Sequence, residues 1–178
     1  MKILLTALNA KYIHSNPAIY SLRAYAGKVL QEHIEIAEYT INNQLGEILA
    51  DIYVKKPDVI AFSCYIWNWN MIQDIIAELP KILPNCPIWL GGPEVSYDAL
   101  QILEKYSQIT GIMIGEGEET FKELAKYYVN HRARNISGVL ADNEATEVIE
   151  DTVSKSLEDI PGLALPSGYT PIRPLTDL

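Results

Sequence analysis

Residues 58–79 read DVIAFSCYIWNWNMIQDIIAEL. The opening DVIAFS, at 58–63, is a short unbroken apolar run after an acidic residue, as expected of a strand buried on both faces. The closing part places Ile72, Ile75, Ile76 and Leu79 at helical spacing, so the period changes from two to 3.6 across the aromatic loop Tyr65–Trp69. Pro80 is expected to kink or shorten that helix. A buried strand followed by an amphipathic helix is the building unit of a parallel sheet clad in helices.

The same unit recurs on either side. Upstream, Lys2–Leu8 is another apolar strand. After it Asn16 offers an N-cap and Pro17 an N1 proline for a helix carrying Ile19, Leu22, Ala26, Val29 and Leu30. His33–Tyr39 alternates, with Ile34 and Ile36 on one face and Glu35 on the other, the pattern of a half-covered strand near an edge. Asn42 and Asn43 are candidate caps for a helix with Leu45, Ile48, Leu49, Ile52 and Tyr53, which Lys55, Lys56 and Pro57 close. Downstream, Pro87–Leu90 is a fourth strand and Gly91-Gly92-Pro93 its turn, with Ser96 as cap of a helix bearing Leu100, Leu103 and Tyr106. Ile109–Ile114 is the fifth strand, and Gly115-Glu116-Gly117-Glu118 opens a helix holding Phe121, Leu124, Ala125 and Tyr128. Five strand–helix units with right-handed crossovers predict an α/β fold, a doubly wound five-stranded parallel sheet of flavodoxin-like order 2-1-3-4-5; a barrel needs eight units.

From Ile136 the rhythm stops. Ser137–Ala141, a turn at Asp142-Asn143 and Thr146–Ile149 read as a small hairpin able to add an edge to the sheet. The last 18 residues hold four of the ten prolines, a composition for an extended connector that supplies neither helix nor central strand. The expected organisation is a sheet domain at 1–135, a hairpin extension at 136–152 and a linker at 153–178, as the front piece of a longer polypeptide.

Composition narrows the function. The 178 residues carry 14 Lys and Arg against 23 Asp and Glu, a net charge of −9 that repels phosphate backbones and acidic membranes, so neither nucleic acid nor membrane is an expected partner. Two cysteines, Cys64 and Cys86, make neither a disulfide framework nor a zinc site of paired thiolates, and point to a reducing cytoplasm. The apolar stretch Ile3–Ala7 is too short to span a bilayer.

In an open parallel sheet, ligands bind at the carboxyl ends of the strands, near the switch point between the first and third. The loops there are Asn9–Asn16, Ser63–Trp69, Gly91–Glu94 and Gly115–Glu118. They lack the acidic cluster of a phosphoacceptor, the hydroxyl-rich loop of a flavodoxin and any Walker A sequence. Gly115-x-Gly117 lacks a third glycine, and Glu116, Glu118 and Glu119 repel a pyrophosphate, which disfavours NAD. Small residues and neutral aromatics remain, which suit a bulky, largely uncharged ligand pressed against main chain. Each has a structural reading beside the functional one. Gly91-Gly92 is a tight turn or a close approach, and Ser63 donates to a ligand or to local backbone. Tyr65, Trp67 and Trp69 form a stacking surface or cover the sheet. His14 is a metal ligand or solvated, and Glu116 and Glu118 favour a helix N-terminus or touch a ligand. Cys64 reads as a small buried hydrophobe.

Together, Ser63-Cys64-Tyr65, Gly91-Gly92-Pro93-Glu94 and Gly115-Glu116-Gly117-Glu118-Glu119-Thr120-Phe121 resemble the cobalamin-binding domain at the N-terminus of radical S-adenosylmethionine enzymes, a group that includes methyltransferases and the anaerobic magnesium-protoporphyrin monomethyl ester cyclase. Ile136-Ser137-Gly138 and Leu157–Pro161 are similar to the stretch joining that domain to the radical barrel. The resemblance implies bound cobalamin, with Gly91 and Gly92 flanking the nucleotide tail, Ser63 bonding the tail base and the aromatic loop bordering the corrin. The implied cofactor set is Asn9, His14, Ser63, Cys64, Tyr65, Trp67, Gly91, Gly92, Pro93, Glu94, Gly115, Glu116 and Gly117. The loop after the first strand lacks the Asp-x-His-x-x-Gly of methionine synthase-type cobalamin domains, and His14 is out of register with the histidine of that motif. The S-adenosylmethionine site and the 4Fe-4S cluster need Cys-x-x-x-Cys-x-x-Cys, which two cysteines cannot make. Both are expected in a C-terminal radical SAM domain in cis beyond Leu178, with no catalysis in this chain alone. The alternative of another class is a structural or substrate-docking domain of this fold that has lost its cofactor. A free-standing small-ligand enzyme is a weaker third, given no triad or carboxylate dyad in the rim loops.

Overall fold

Alternation along the central strands divides the apolar residues between two cores. In β1 (Ile3–Asn9) and β3 (Val59–Ser63), Leu4, Leu8, Ile60 and Phe62 face one side, and Ile3, Leu5, Ala7, Val59 and Ala61 face the other. The computed structural model describes residues 1–11, 15–137 and 156–173, with 133–137 as backbone alone. The first core is closed by α3 (Leu45–Lys55), α4 (Trp69–Ile82), α5 (Pro93–Ser96) and α6 (Ala99–Lys105). The second is closed by α1 (Pro17–Tyr25), α2 (Lys28–Gln31) and α7 (Gly117–Ser137). Helices on both faces of a parallel sheet are the doubly wound arrangement.

With β2 (Ile34–Thr40), β4 (Ile88–Gly91) and β5 (Ile109–Met113), the parallel part has the expected order β2-β1-β3-β4-β5, and β2 forms the edge. The sheet is larger than five strands. Antiparallel β6 (Leu163–Leu165) pairs with β5, and β7 (Gly168–Tyr169) pairs with β6, making seven strands and a mixed sheet. The proline-rich tail is therefore not an extended connector throughout. Pro161 precedes β6, Pro166 lies in the turn and Pro171 follows β7, so the prolines bracket the ladder and leave its donors intact. Arg173 ties the tail down, donating from Nε to Thr120 Oγ1 at 3.0 Å and from Nη2 to Glu123 at 2.9 Å.

Asn16 caps α1 as expected, its Oδ1 accepting the Ala18 N–H at 3.0 Å, with Pro17 next. Three other local expectations are corrected. Asn43 ends β2, its Oδ1 taking the Thr40 N–H at 2.8 Å, and α3 is capped by Gln44 in a box with Glu47. Ser96 is the last residue of α5 and donates to Gly92 O at 2.8 Å; Asp98 precedes α6. Helix α7 runs through Ile136 and Ser137, where the hairpin was expected to begin, and the rest of that hairpin lies outside the described residues. Pro80 sits in the last turn of α4, which ends at Ile82. Trp89 is fully buried, donating from Nε1 to Tyr128 OH at 2.9 Å. A Cβ on Gly111 would lie 2.5 Å from its ring, so that strand position needs glycine. Among the described residues, no helix is long and apolar enough to cross a membrane.

Candidate functional site

Because β1, β3, β4 and β5 are parallel, their carboxyl ends share one rim, and the chain leaves β1 toward α1 but leaves β3 toward α4, on the opposite face. Strands whose connections diverge leave a crevice between them. An open cleft of about 120 Å³ lies at this rim on the α1 and α7 side. Leu5, Ala61, Ser63, Gly91 and Met113 come from the sheet, Ala18, Ile19 and Leu22 from α1, Gly92 and Gly115 from the turns beyond, and Gly117 and Glu118 from the start of α7. Tyr65 lines its edge.

Polar side chains organise the loops around it. Asn68 is fully buried and donates from Nδ2 to both Leu8 O and Ser63 O at 3.0 Å, while its Oδ1 accepts the Tyr65 N–H at 2.8 Å. One amide thus joins the ends of β1 and β3 across the switch point. Glu38, on β2, accepts Asn9 Nδ2 at 2.9 Å and the Asn16 N–H at 2.8 Å on one oxygen, and Tyr20 OH at 2.7 Å on the other. Partial burial works against ionisation of Glu38, but hydrogen bonds from Tyr20, the Asn16 N–H, Asn9 and Ser15 prevail and hold its carboxyl below the ordinary glutamate value. Asn16 Nδ2 in turn donates to Ser63 Oγ at 3.1 Å.

The expected site residues separate into groups. Ser63, Tyr65, Gly91, Gly92, Gly115 and Gly117 line the cleft. Asn9 and Trp67 line an adjoining hollow with Tyr65, whose ring stacks on Trp67 at 4.4 Å between centroids and 9° between planes. Trp69 does not join that surface: it opens α4 and meets Tyr106 edge-on at 6.0 Å. Cys64 follows Ser63, so its side chain faces the opposite core, fully buried, and only its main chain belongs to the rim. Burial raises its thiol pKa far above the ordinary cysteine value and so disfavours the thiolate. Pro93 and Glu94 open α5 and do not line the cleft. Glu116 is exposed and lines a neighbouring apolar hollow with Tyr97 and Ile172. His14 lies outside the described residues.

Gly92 lines the cleft, yet the space its side chain would need is taken by the chain itself, since an added Cβ would sit 2.4 Å from Cys64 O. Sequence reasoning missed Glu38 and Asn68. An acidic residue near the end of an edge strand and an asparagine between two tryptophans are weak signals, because their partners come from other loops. Among the described residues no three His, Cys, Asp or Glu side chains could hold a metal ion. The arrangement suits binding: an apolar recess, one hydroxyl at its wall and a stacked aromatic pair beside it.

A sequence profile described as the B12 binding domain matches residues 3–125. The cobalamin-dependent radical SAM methyltransferase TokK of Streptomyces tokunonensis is 34% identical over 71 residues, 40% of this chain and 10% of that protein. The anaerobic magnesium-protoporphyrin IX monomethyl ester cyclase of Cereibacter sphaeroides is 24% identical over 129 residues, 70% of this chain and 20% of that protein. The solved structure of OxsB, a cobalamin-dependent S-adenosylmethionine radical enzyme, superposes with a TM-score of 0.64 at 16% identity, over 98% of this chain and 22% of that one, a likeness of fold. The chain spans 10% to 20% of the length of these two curated relatives.

Proposed function

This chain belongs to the B12-binding domain family, and from that premise we propose that it holds cobalamin at the carboxyl-end cleft and presents the corrinoid to a radical S-adenosylmethionine domain following in the same polypeptide. The observation that carries the reading is the cleft itself, an apolar recess at the switch point with Ser63 on its wall and the Gly91–Gly92 main chain beside it. The residues present fit the group. Leu5, Ala61 and Leu22 offer the apolar surface that an aromatic tail base needs, and Ser63 offers a hydroxyl to its ring nitrogen. Tyr65 and Trp67, stacked at the rim, border the corrin. Bound there, the cofactor supplies cobalt-centred methyl-carrying and redox chemistry.

The chain's own residues bind and orient. Asn68 and Glu38 hold the loops after β1 and β3 in place, which keeps the cleft formed before a ligand enters. The S-adenosylmethionine site and the 4Fe-4S cluster belong to the following domain, a reading supported by the small share of its relatives that this chain spans. A cytoplasmic setting accords with two free cysteines.

The test is retention. After incubation with hydroxocobalamin and desalting, the purified chain is expected to keep one corrin per chain by visible absorbance. A flow-through holding all of the corrin overturns the proposal and favours a docking domain of the same fold.

A further inference from the structure

The amide of Asn16 stands between a helix cap and the hydroxyl on the cleft wall. Its Oδ1 accepts the Ala18 N–H at 3.0 Å, so the other end, Nδ2, faces Ser63 Oγ at 3.1 Å. The cap decides this orientation: turned over, the amide would set its NH2 against the Ala18 N–H, donor against donor. Asn16 is only 6% exposed, and its own N–H is held by Glu38 at 2.8 Å. A serine hydroxyl has one hydrogen and two lone pairs. With a lone pair engaged by Asn16, the hydrogen of Ser63 has to be given elsewhere. Asn16 borders the adjoining hollow while Ser63 lines the cleft, so the open direction is into the cleft.

We propose that Asn16 is a positioning residue that commits Ser63 to donate, and that the cleft thereby selects corrinoids whose tail base carries an unprotonated ring nitrogen over those whose tail is a phenol. The inference rests on the cobalamin reading above and adds a ligand class to it. The ring nitrogen of a benzimidazole or purine tail would accept the serine hydrogen. A phenolic tail has ring carbon there and accepts nothing. A freely rotating hydroxyl adapts to either partner, whereas a committed donor discriminates, because its unpaired state inside a cleft is costly.

The experiment titrates the purified chain with hydroxocobalamin and, separately, with the analogue bearing p-cresol in place of the benzimidazole, reading Kd by corrin absorbance. The cresol analogue is expected to bind about tenfold more weakly, the scale of one hydrogen bond at a desolvated site. Asn16→Asp keeps the cap, since a carboxylate oxygen also takes the Ala18 N–H, but offers Ser63 an acceptor in place of a donor. The serine hydrogen then turns away from the cleft, and affinity for hydroxocobalamin falls to that of the cresol analogue, whose own Kd stays put. Ser63→Ala reaches the same end point, and Asn16→Asp adds nothing to it. Circular dichroism checks each fold; if Asn16→Asp does not fold, Ser63→Ala with the two ligands carries the test. Equal affinities in the unaltered chain, or an Asn16→Asp effect that survives in the Ser63→Ala background, overturn this inference and leave the cobalamin reading standing. Failure to bind either corrinoid overturns both.

Discussion

Gly92 is under two constraints at once. Its φ of +114° lies where side chains are strained, and a Cβ there would press on the Cys64 carbonyl at 2.4 Å. The Cys64 N–H is itself bonded to Gly91 O at 2.7 Å, so the two turns cannot part without losing that bond. Gly92→Ala is therefore expected to destabilise the chain with no ligand present, by about 2 kcal/mol or more, read as a lower denaturant midpoint at unchanged slope. A midpoint equal to that of the unaltered chain would mean the glycine serves the ligand alone. The same residue shows what a sequence conveys at this scale. The pair Gly91-Gly92 marks a close approach, but the approaching group, a carbonyl 28 positions earlier, becomes visible only when β3 and β4 lie side by side.

At the scale of elements, the parallel order and the two edge assignments differ in how they were legible. Apolar runs of strand length carry β1, β3, β4 and β5, alternation carries β2, and helical spacings mark the helices between them, each legible from its own stretch of sequence. The segment Leu163–Tyr169 is short and set among prolines, so its pairing with β5 depends on the free edge it meets. Arg173 supplies part of that adhesion through Thr120, Glu123 and Pro161 O. With side-chain exposures of 19% and 31%, the Arg173–Glu123 pair is partly screened, and Arg173→Ala is expected to cost about 1 kcal/mol. Hydrogen exchange at Leu163, Ile114 and Thr170 should quicken, while amides in β1 and β3 keep their protection. Equal acceleration in all strands would show that the tail is not a separable edge.

For the whole molecule, one sheet serves two cores, so neither core can be lost without exposing a face of strands the other needs. Phe121→Ala on the α7 side and Ile76→Ala on the α4 side are each expected to cost about 2–5 kcal/mol and to lower one shared thermal midpoint. A scan that resolved into two transitions for either variant would contradict this coupling.

Hydrophobic period and turn residues suffice for the five parallel strands, their order and the rim where a ligand is held, because each depends on near neighbours in the chain and on general rules of strand connection. Ser63, Tyr65 and the paired glycines stand at that rim for the same reason. The sixth and seventh strands and the bonds from Glu38, Asn16 and Asn68 are decided in three dimensions. Each joins groups distant along the chain, and a hydrogen bond or an edge pairing has no partner to name until folding brings the partner within about 3 Å.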